Sequence, residues 1–141
     1  MRVVADTNVL VSALLWSGLP HRLLAIAEAG HLTLYTSPVL IQELAGVLSR
    51  QKFASRLDAL RVSVEELIAG YVRLAHVILP QPMAPVILED PEDDAVLACA
   101  LAARAEYVIS GDGHLLSLTH YRSIHLVSTR TFLATVLRIR V

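Results

Sequence analysis

The chain has 141 residues, one cysteine, a formal net charge of −1 and 55% hydrophobic residues. That length fits one domain with its own core, and a single cysteine excludes both a disulfide framework and a cysteine-built zinc site. The charge excludes nucleic-acid binding by bulk basicity, so any such binding must rest on a local site.

No stretch reaches the roughly 18 uncharged apolar residues of a membrane span. The opening Met1-Arg2-Val3-Val4-Ala5-Asp6 lacks the layout of a signal peptide, so the cytoplasm is the expected location. Val3-Val4-Ala5 reads as a buried strand ending at Asp6. Residues 8–16 are mostly apolar and predict a helix capped by Thr7 or Asn8, broken by Ser17-Gly18-Leu19-Pro20. Residues 20–29 predict a second helix, with Gly30 as its stop. Leu32-Thr33-Leu34-Tyr35 alternates as a strand does. Ser37-Pro38 then starts a helix that is expected to run to about Arg50, with serine at the cap and proline at the first helical position. Residues 63–76 predict another helix, in which Ser63 and Glu66 have capping-box spacing.

Val77-Ile78-Leu79 fits a strand, and Pro80, Pro82 and Pro85 mark an irregular connection. Asp90-Pro91-Glu92-Asp93 opens a helix expected to continue to about Ala105, with Cys99 as a small core residue in it. Tyr107-Val108-Ile109 is a strand, residues 114–118 a short helix or turn, and Ile124-His125-Leu126-Val127 a last strand. Ser128 or Thr129 caps a C-terminal helix. Short apolar strands alternating with helices predict an α/β fold with a parallel sheet covered on both faces. In such a sheet the site lies outside the C-terminal ends of the strands.

Two acids fall at that edge: Asp6 directly follows the first strand, and Asp112 closely follows Val108-Ile109. Each taken singly is also an ordinary N-cap or turn residue. Asp94 is harder to place on a wet surface, because the residues three, four and seven positions on are Leu97, Ala98 and Leu101. A carboxylate on an apolar face is costly unless something compensates it. Asp90 reads as an N-cap, and Glu92 and Asp93 as first-turn acids favoured by the helix dipole. Glu43, with Val39 and Leu40 before it and Val47 after, borders the apolar stripe of its helix. Its plain alternative is a stem along the core edge with the head in water.

Carboxylates gathered in a sheet crevice raise one another's pKa values, and a divalent cation removes that conflict. All-oxygen ligands suit Mg2+ or Mn2+, ions that serve phosphoryl chemistry. His114 is the histidine nearest to these acids in the chain and reads as a turn residue or substrate contact before a ligand. Phosphate-binding glycine loops and the GxSxG elbow are absent. Trp16 reads as core or interface.

Four segments together resemble the PIN-domain family: Asp6-Thr7-Asn8-Val9-Leu10-Val11-Ser12-Ala13 after a strand; Ser37-Pro38 followed by Glu43; Asp94-Ala95-Val96-Leu97-Ala98; and Tyr107-Val108-Ile109-Ser110-Gly111-Asp112 followed by His114-Leu115-Leu116. They span nearly the whole chain in the family's order. The nearest subgroup is the small stand-alone prokaryotic PIN proteins that are toxins of toxin–antitoxin pairs.

The resemblance implies one PIN-like nuclease domain over residues 1–141, with a three-layer α/β/α fold around a parallel sheet of about five strands. It implies Mg2+ or Mn2+ and endoribonuclease activity. By position, Asp6, Glu43, Asp94 and Asp112 would be the catalytic metal-site acids, with Asn8 and Ser110 orienting them and Asp93 helping through water. The expected reaction is hydrolysis, in which activated water attacks phosphorus in line. Arg50, Lys52 and Arg56, following the Glu43 helix, are the expected RNA contacts, with a solvated charged face as their plain alternative. A homodimer and a small antitoxin partner are also implied.

The alternative expectation is a non-catalytic PIN-like RNA- or protein-binding module with a structural metal site. A phospho-accepting receiver domain fits poorly, because the one lysine, Lys52, is not after a late strand. A flap-type DNA nuclease needs extra DNA-binding elements for which the chain has no room.

Overall fold

The central strand is β1 (Arg2–Ala5). Its side chains alternate across the sheet, as strand geometry requires: Val3 and Ala5 enter one core cluster and Val4 the other. On one side of β1 lie β2 (Thr33–Thr36) and β3 (His76–Val77). On the other lie β4 (Tyr107–Ile109), β5 (His120–Tyr121) and β6 (Ile124–Val127), giving the order β3-β2-β1-β4-β6-β5. All neighbours pair in parallel except β5, which runs antiparallel to β6. The computed structural model describes residues 1–82, 84 and 91–141, with Pro91 and Glu92 as backbone only.

The helices are α1 (Thr7–Leu15), α2 (Leu19–Glu28), α3 (Pro38–Leu48), α4 (Ala54–Leu60), α5 (Val64–Leu74), α6 (Pro91–Ala103), α7 (Gly113–Ser117) and α8 (Thr129–Thr131), the last running into a π-helical turn (Phe132–Val136). Residues of α1, α2, α3 and α5, together with Phe132 and Leu133, bury the Val3 face. Residues of α6 and Leu115 of α7 bury the Val4 face. This is the expected α/β/α sandwich around a mostly parallel sheet. The extra strand β5 is two residues long, too short to show a period of two.

Local chemistry sets the element ends. Ser37 caps α3, its Oγ accepting from the Leu40 amide at 3.3 Å, with Pro38 at the first helical position. The capping box of α5 is complete: Glu66 N–H donates to Ser63 Oγ at 3.1 Å and Ser63 N–H to Glu66 Oε1 at 3.2 Å. After α2 the chain turns at Gly30, whose φ of +84° is a conformation that side chains resist.

Several expectations need correction. The cap of α1 is Asp6 rather than Thr7 or Asn8. The helix expected to reach Arg50 ends at Leu48, and a 3-10 turn (Gln51–Phe53) and α4 follow. Helix α4 has seven residues, about two turns, and closes on Arg61 in the left-handed region rather than on a glycine, so it lacks the usual stop signal. Helix α6 ends at Ala103, two residues early. Pro85 and the Asp90 cap lie outside the described residues. Among the described residues, no single helix is long and apolar enough to cross a membrane.

Cys99 is 0% exposed, and burial pushes its thiol up to about 12. Iodoacetamide at mildly alkaline pH is therefore expected to leave the native thiol untouched, while guanidinium-unfolded chain takes one adduct by mass spectrometry. Rapid labelling of the native protein would contradict this placement.

Candidate metal centre

The chain steps outward from β1 to β2 and β3, then crosses to β4 on the other side of β1. A crevice opens at the strand ends where the order reverses in this way. The register pairs Ala5 with Ile109 and Ile109 with Val127. The ladder continues one step beyond the strands: Asp6 N–H donates to Ile109 O at 3.0 Å, and Ser110 N–H to Val127 O at 2.9 Å. Asp6 and Ser110 are thereby pinned beside each other at the crevice floor.

Ser110 ties the site together. Its hydroxyl donates to Asp6 Oδ2 and accepts from the Asp112 amide at 2.9 Å. The other oxygen of Asp6 accepts from the Val9 amide at 2.9 Å and so caps α1. Asp112 caps α7, its Oδ1 accepting from the His114 and Leu115 amides at 2.8 and 3.3 Å. Glu43 arrives on α3, which packs against both α1 and α6. Asp6, Glu43, Asp93 and Asp112 line one cleft of about 50 Å³, with exposed Asn8 on its wall. A water needs roughly 10–15 Å³ of such space, so the cleft has room for an ion with a few waters beside it.

The acid that α6 supplies is Asp93, not Asp94. Asp94 is half-buried and does not line the cleft. Asp93 is 6% exposed, and the residues three, four and seven positions on (Val96, Leu97 and Ala100) are 2%, 0% and 0% exposed. For Asp94 those positions are Leu97, Ala98 and Leu101, of which the last two are only half-buried. Every residue from 95 to 103 is apolar, so helical periodicity gave no direction and either acid could be read as facing inward.

Burial pushes the Asp6 carboxyl above its usual range; the Ser110 hydroxyl and the Val9 amide offset part of this, and the Asp112 charge adds to it. Asp112 goes the other way. Burial opposes its ionisation but is outweighed by the Leu115 amide, a hydrogen bond with Asp93, the His114 amide and the His114 charge, which hold the carboxyl below the usual range.

A family model described as PIN domain matches residues 2–114. The chain belongs to the PIN-domain family. The matched span contains all four cleft acids, and PIN domains are in general metal-dependent nuclease folds. No curated protein matches the chain. Among solved structures, the chain is similar to the RRP44 PIN domain of T. brucei, at 16% identity over 97% of this chain and 81% of that chain, with a TM-score of 0.47.

The donor set of this PIN domain fits a hard divalent cation: carboxylates from four elements or their ends, with no cysteine among them. His114, expected as a turn residue or substrate contact, stands closer than that. Its Nδ1 lies 3.9 Å from Asp93 Oδ2 and 3.9 Å from Asp112 Oδ1, and ligand atoms of the three residues lie within 4.8 Å of one another. It can offer a ring nitrogen to the same ion. Its contact with Asp93 was invisible in sequence, because the two are joined only by the fold.

The expected RNA contacts are elsewhere. Neither Arg50, Lys52 nor Arg56 lines the cleft. Arg56 Nε donates to Leu15 O at 2.6 Å and its guanidinium stacks over Trp16 at 5.7 Å, at the far end of α1 from Asp6. Lys52 lies 5.1 Å over the Phe53 ring. Arg56 closes a helix end, away from the cleft. Trp16 is partly exposed and packs edge-on against Phe53 at 5.9 Å, a surface stack rather than core.

The raised pKa of Asp6 has a stability consequence. A folded-state carboxyl with a raised pKa binds its proton more tightly than the unfolded chain does. Its ionisation therefore subtracts from stability at neutral pH, and the deficit vanishes as pH falls through the folded and then the unfolded pKa. Asp6→Asn removes the charge and keeps a good N-cap. Metal-free Asp6→Asn is expected to melt at or above the wild-type temperature near neutral pH. Mn2+ at about a hundredfold excess over Kd should stabilise wild type by about 2.7 kcal/mol, a rise of roughly 5–10 °C for a domain of this size, and leave Asp6→Asn nearly unmoved. Equal Mn2+ shifts in both proteins by scanning fluorimetry would contradict the assignment.

Proposed function

We propose that this PIN domain is a Mg2+- or Mn2+-dependent endoribonuclease that hydrolyses RNA phosphodiester bonds. The observation that carries the reading is the meeting of Asp6, Glu43, Asp93 and Asp112 in one small cleft at the sheet's switch point. Those four residues would hold the ion, with His114 beside them. When bound, the ion offsets the repulsion among the carboxylates, polarises a phosphate oxygen and lowers the pKa of water.

The remaining roles belong to the chain itself. Ser110 fixes Asp6 Oδ2 by its hydroxyl and the Asp112 backbone by accepting its amide, so both acids keep their direction as a substrate enters. Asn8 is exposed on the cleft wall, where its amide can meet a phosphate or sugar oxygen.

The finer reading keeps the toxin of a toxin–antitoxin pair, acting as a homodimer in the cytoplasm and restrained by a small protein. Its support is the family resemblance together with exposed large apolar side chains, Val39 at the start of α3, Val77 on β3 and Leu79 after it.

A cleavage assay separates the two neighbouring acids. Asp93→Asn is expected to lower Mn2+-dependent cleavage of end-labelled RNA on the order of a hundredfold or more, since even groups that only support a metal ligand cost 10–100-fold. Asp94→Asn is expected to leave it nearly unchanged. The reverse ranking would overturn the site. Metal binding by wild type with no cleavage across a panel of RNAs would replace the nuclease with a binding module.

A further inference from the structure

A second cavity opens at the same sheet edge, on the other side of Asn8. Its volume is about 360 Å³, against about 50 Å³ for the carboxylate cleft. Asn8 borders both. Ser110, which holds Asp6, also lines the larger one, as does Ser128 directly after β6. Asp6, Ser110 and Ser128 follow three strands paired in register, so the groove begins where the cleft ends. Its size falls in the range of small-molecule sites and exceeds what an ion needs.

The chemistry of the two cavities is opposite. Among the described residues, the cleft gathers four acids, whereas no acid lines the groove. Val9, Leu19 and Pro20 give the groove an apolar wall, Ser12 gives it a hydroxyl, Ser128, whose hydroxyl caps α8, gives it an acceptor oxygen, and Arg130 gives it a cation. Arg130 is exposed and, among the described residues, pairs with no carboxylate. Arg22 and Arg56, by contrast, are both tied to backbone carbonyls. An apolar wall, hydroxyls and a guanidinium are the groups that take a nucleobase, a ribose and a phosphate. A chain with net charge −1 must place such a cation locally to hold a polyanion beside an acidic cleft.

We propose that this groove holds the single-stranded RNA nucleotide adjacent to the scissile phosphate, with its base against Val9, Leu19 and Pro20 and its phosphate on Arg130. The assignment rests on the nuclease reading above and adds to it the residues that position the substrate. It replaces Arg50, Lys52 and Arg56 as the RNA contacts. The groove positions the chain of the substrate, and the cleft acts on it.

The test is fluorescence anisotropy with a labelled single-stranded RNA of mixed sequence, about a dozen nucleotides long, which reaches past a groove built for one base. Asp6→Asn protein is the parent, so that nothing is cut. Adding Arg130→Glu is expected to weaken binding on the order of tenfold, the value of a charge-assisted hydrogen bond, and to lower the salt slope by about one. Adding Ser12→Trp fills the groove and is expected to weaken binding with the salt slope unchanged. Adding Arg56→Glu should change neither.

In the wild-type background, an undiminished Mn2+ melting shift for Arg130→Glu and Ser12→Trp shows that fold and cleft survive. RNA bound equally well by both groove variants, with cleavage by their wild-type-background counterparts intact, overturns the groove and leaves the nuclease standing. A parent that binds no RNA while wild type cleaves none overturns both. Equal loss of binding for duplex DNA and for RNA would overturn the single-strand assignment.

Discussion

The site is organised by the repulsion among carboxylates gathered in one small cleft. Asp6 is buried beside Asp112, and its carboxyl is pushed toward the neutral form. A fold does not gather such groups for stability, since burying charge without compensation is costly. This fold holds them with fixed donors on Asp6 and Asp112 and with space for a cation. The first are the Ser110 hydroxyl and the Val9 amide for Asp6 and the His114 and Leu115 amides for Asp112, whose backbone amide Ser110 also accepts. The small cleft between β1, α3, α6 and α7 supplies the second.

Fold and chemistry share their residues here. Asp6 caps α1 and also faces the cleft; Asp112 caps α7 and does the same. For each acid, capping its helix and lining the cleft are therefore compatible. The capping bonds aim the carboxylates, because a side chain that accepts from a backbone amide at its own helix start has little freedom to turn away. The reversal of strand order between β1 and β4 then brings the two helix starts together.

Residues tied to strand ends and caps were readable from sequence. Asp6 and Asp112 follow short apolar strands, Ser37-Pro38 and the Ser63–Glu66 pair announce their helices, and Glu43 borders its stripe. What could not be read had a physical reason in each case. Helix α6 is apolar all round after its first turn, so periodicity could not choose Asp93 over Asp94. Strand β5 and helix α4 are too short to carry a period. His114 meets Asp93, and Arg130 meets the Asn8 groove, only through tertiary packing. Arg56 looked like a free surface cation and instead closes the far end of α1.

The most direct measurement is the anomalous scattering of Mn2+ in crystals of the loaded protein. The account predicts density within ligand distance, about 2.0–2.6 Å for hard oxygen donors, of Asp93 and Asp112, with Asp6 and Glu43 facing the same ion directly or through water. A fully loaded crystal in which the only peak lies away from these acids, or sits on Asp94, would contradict it.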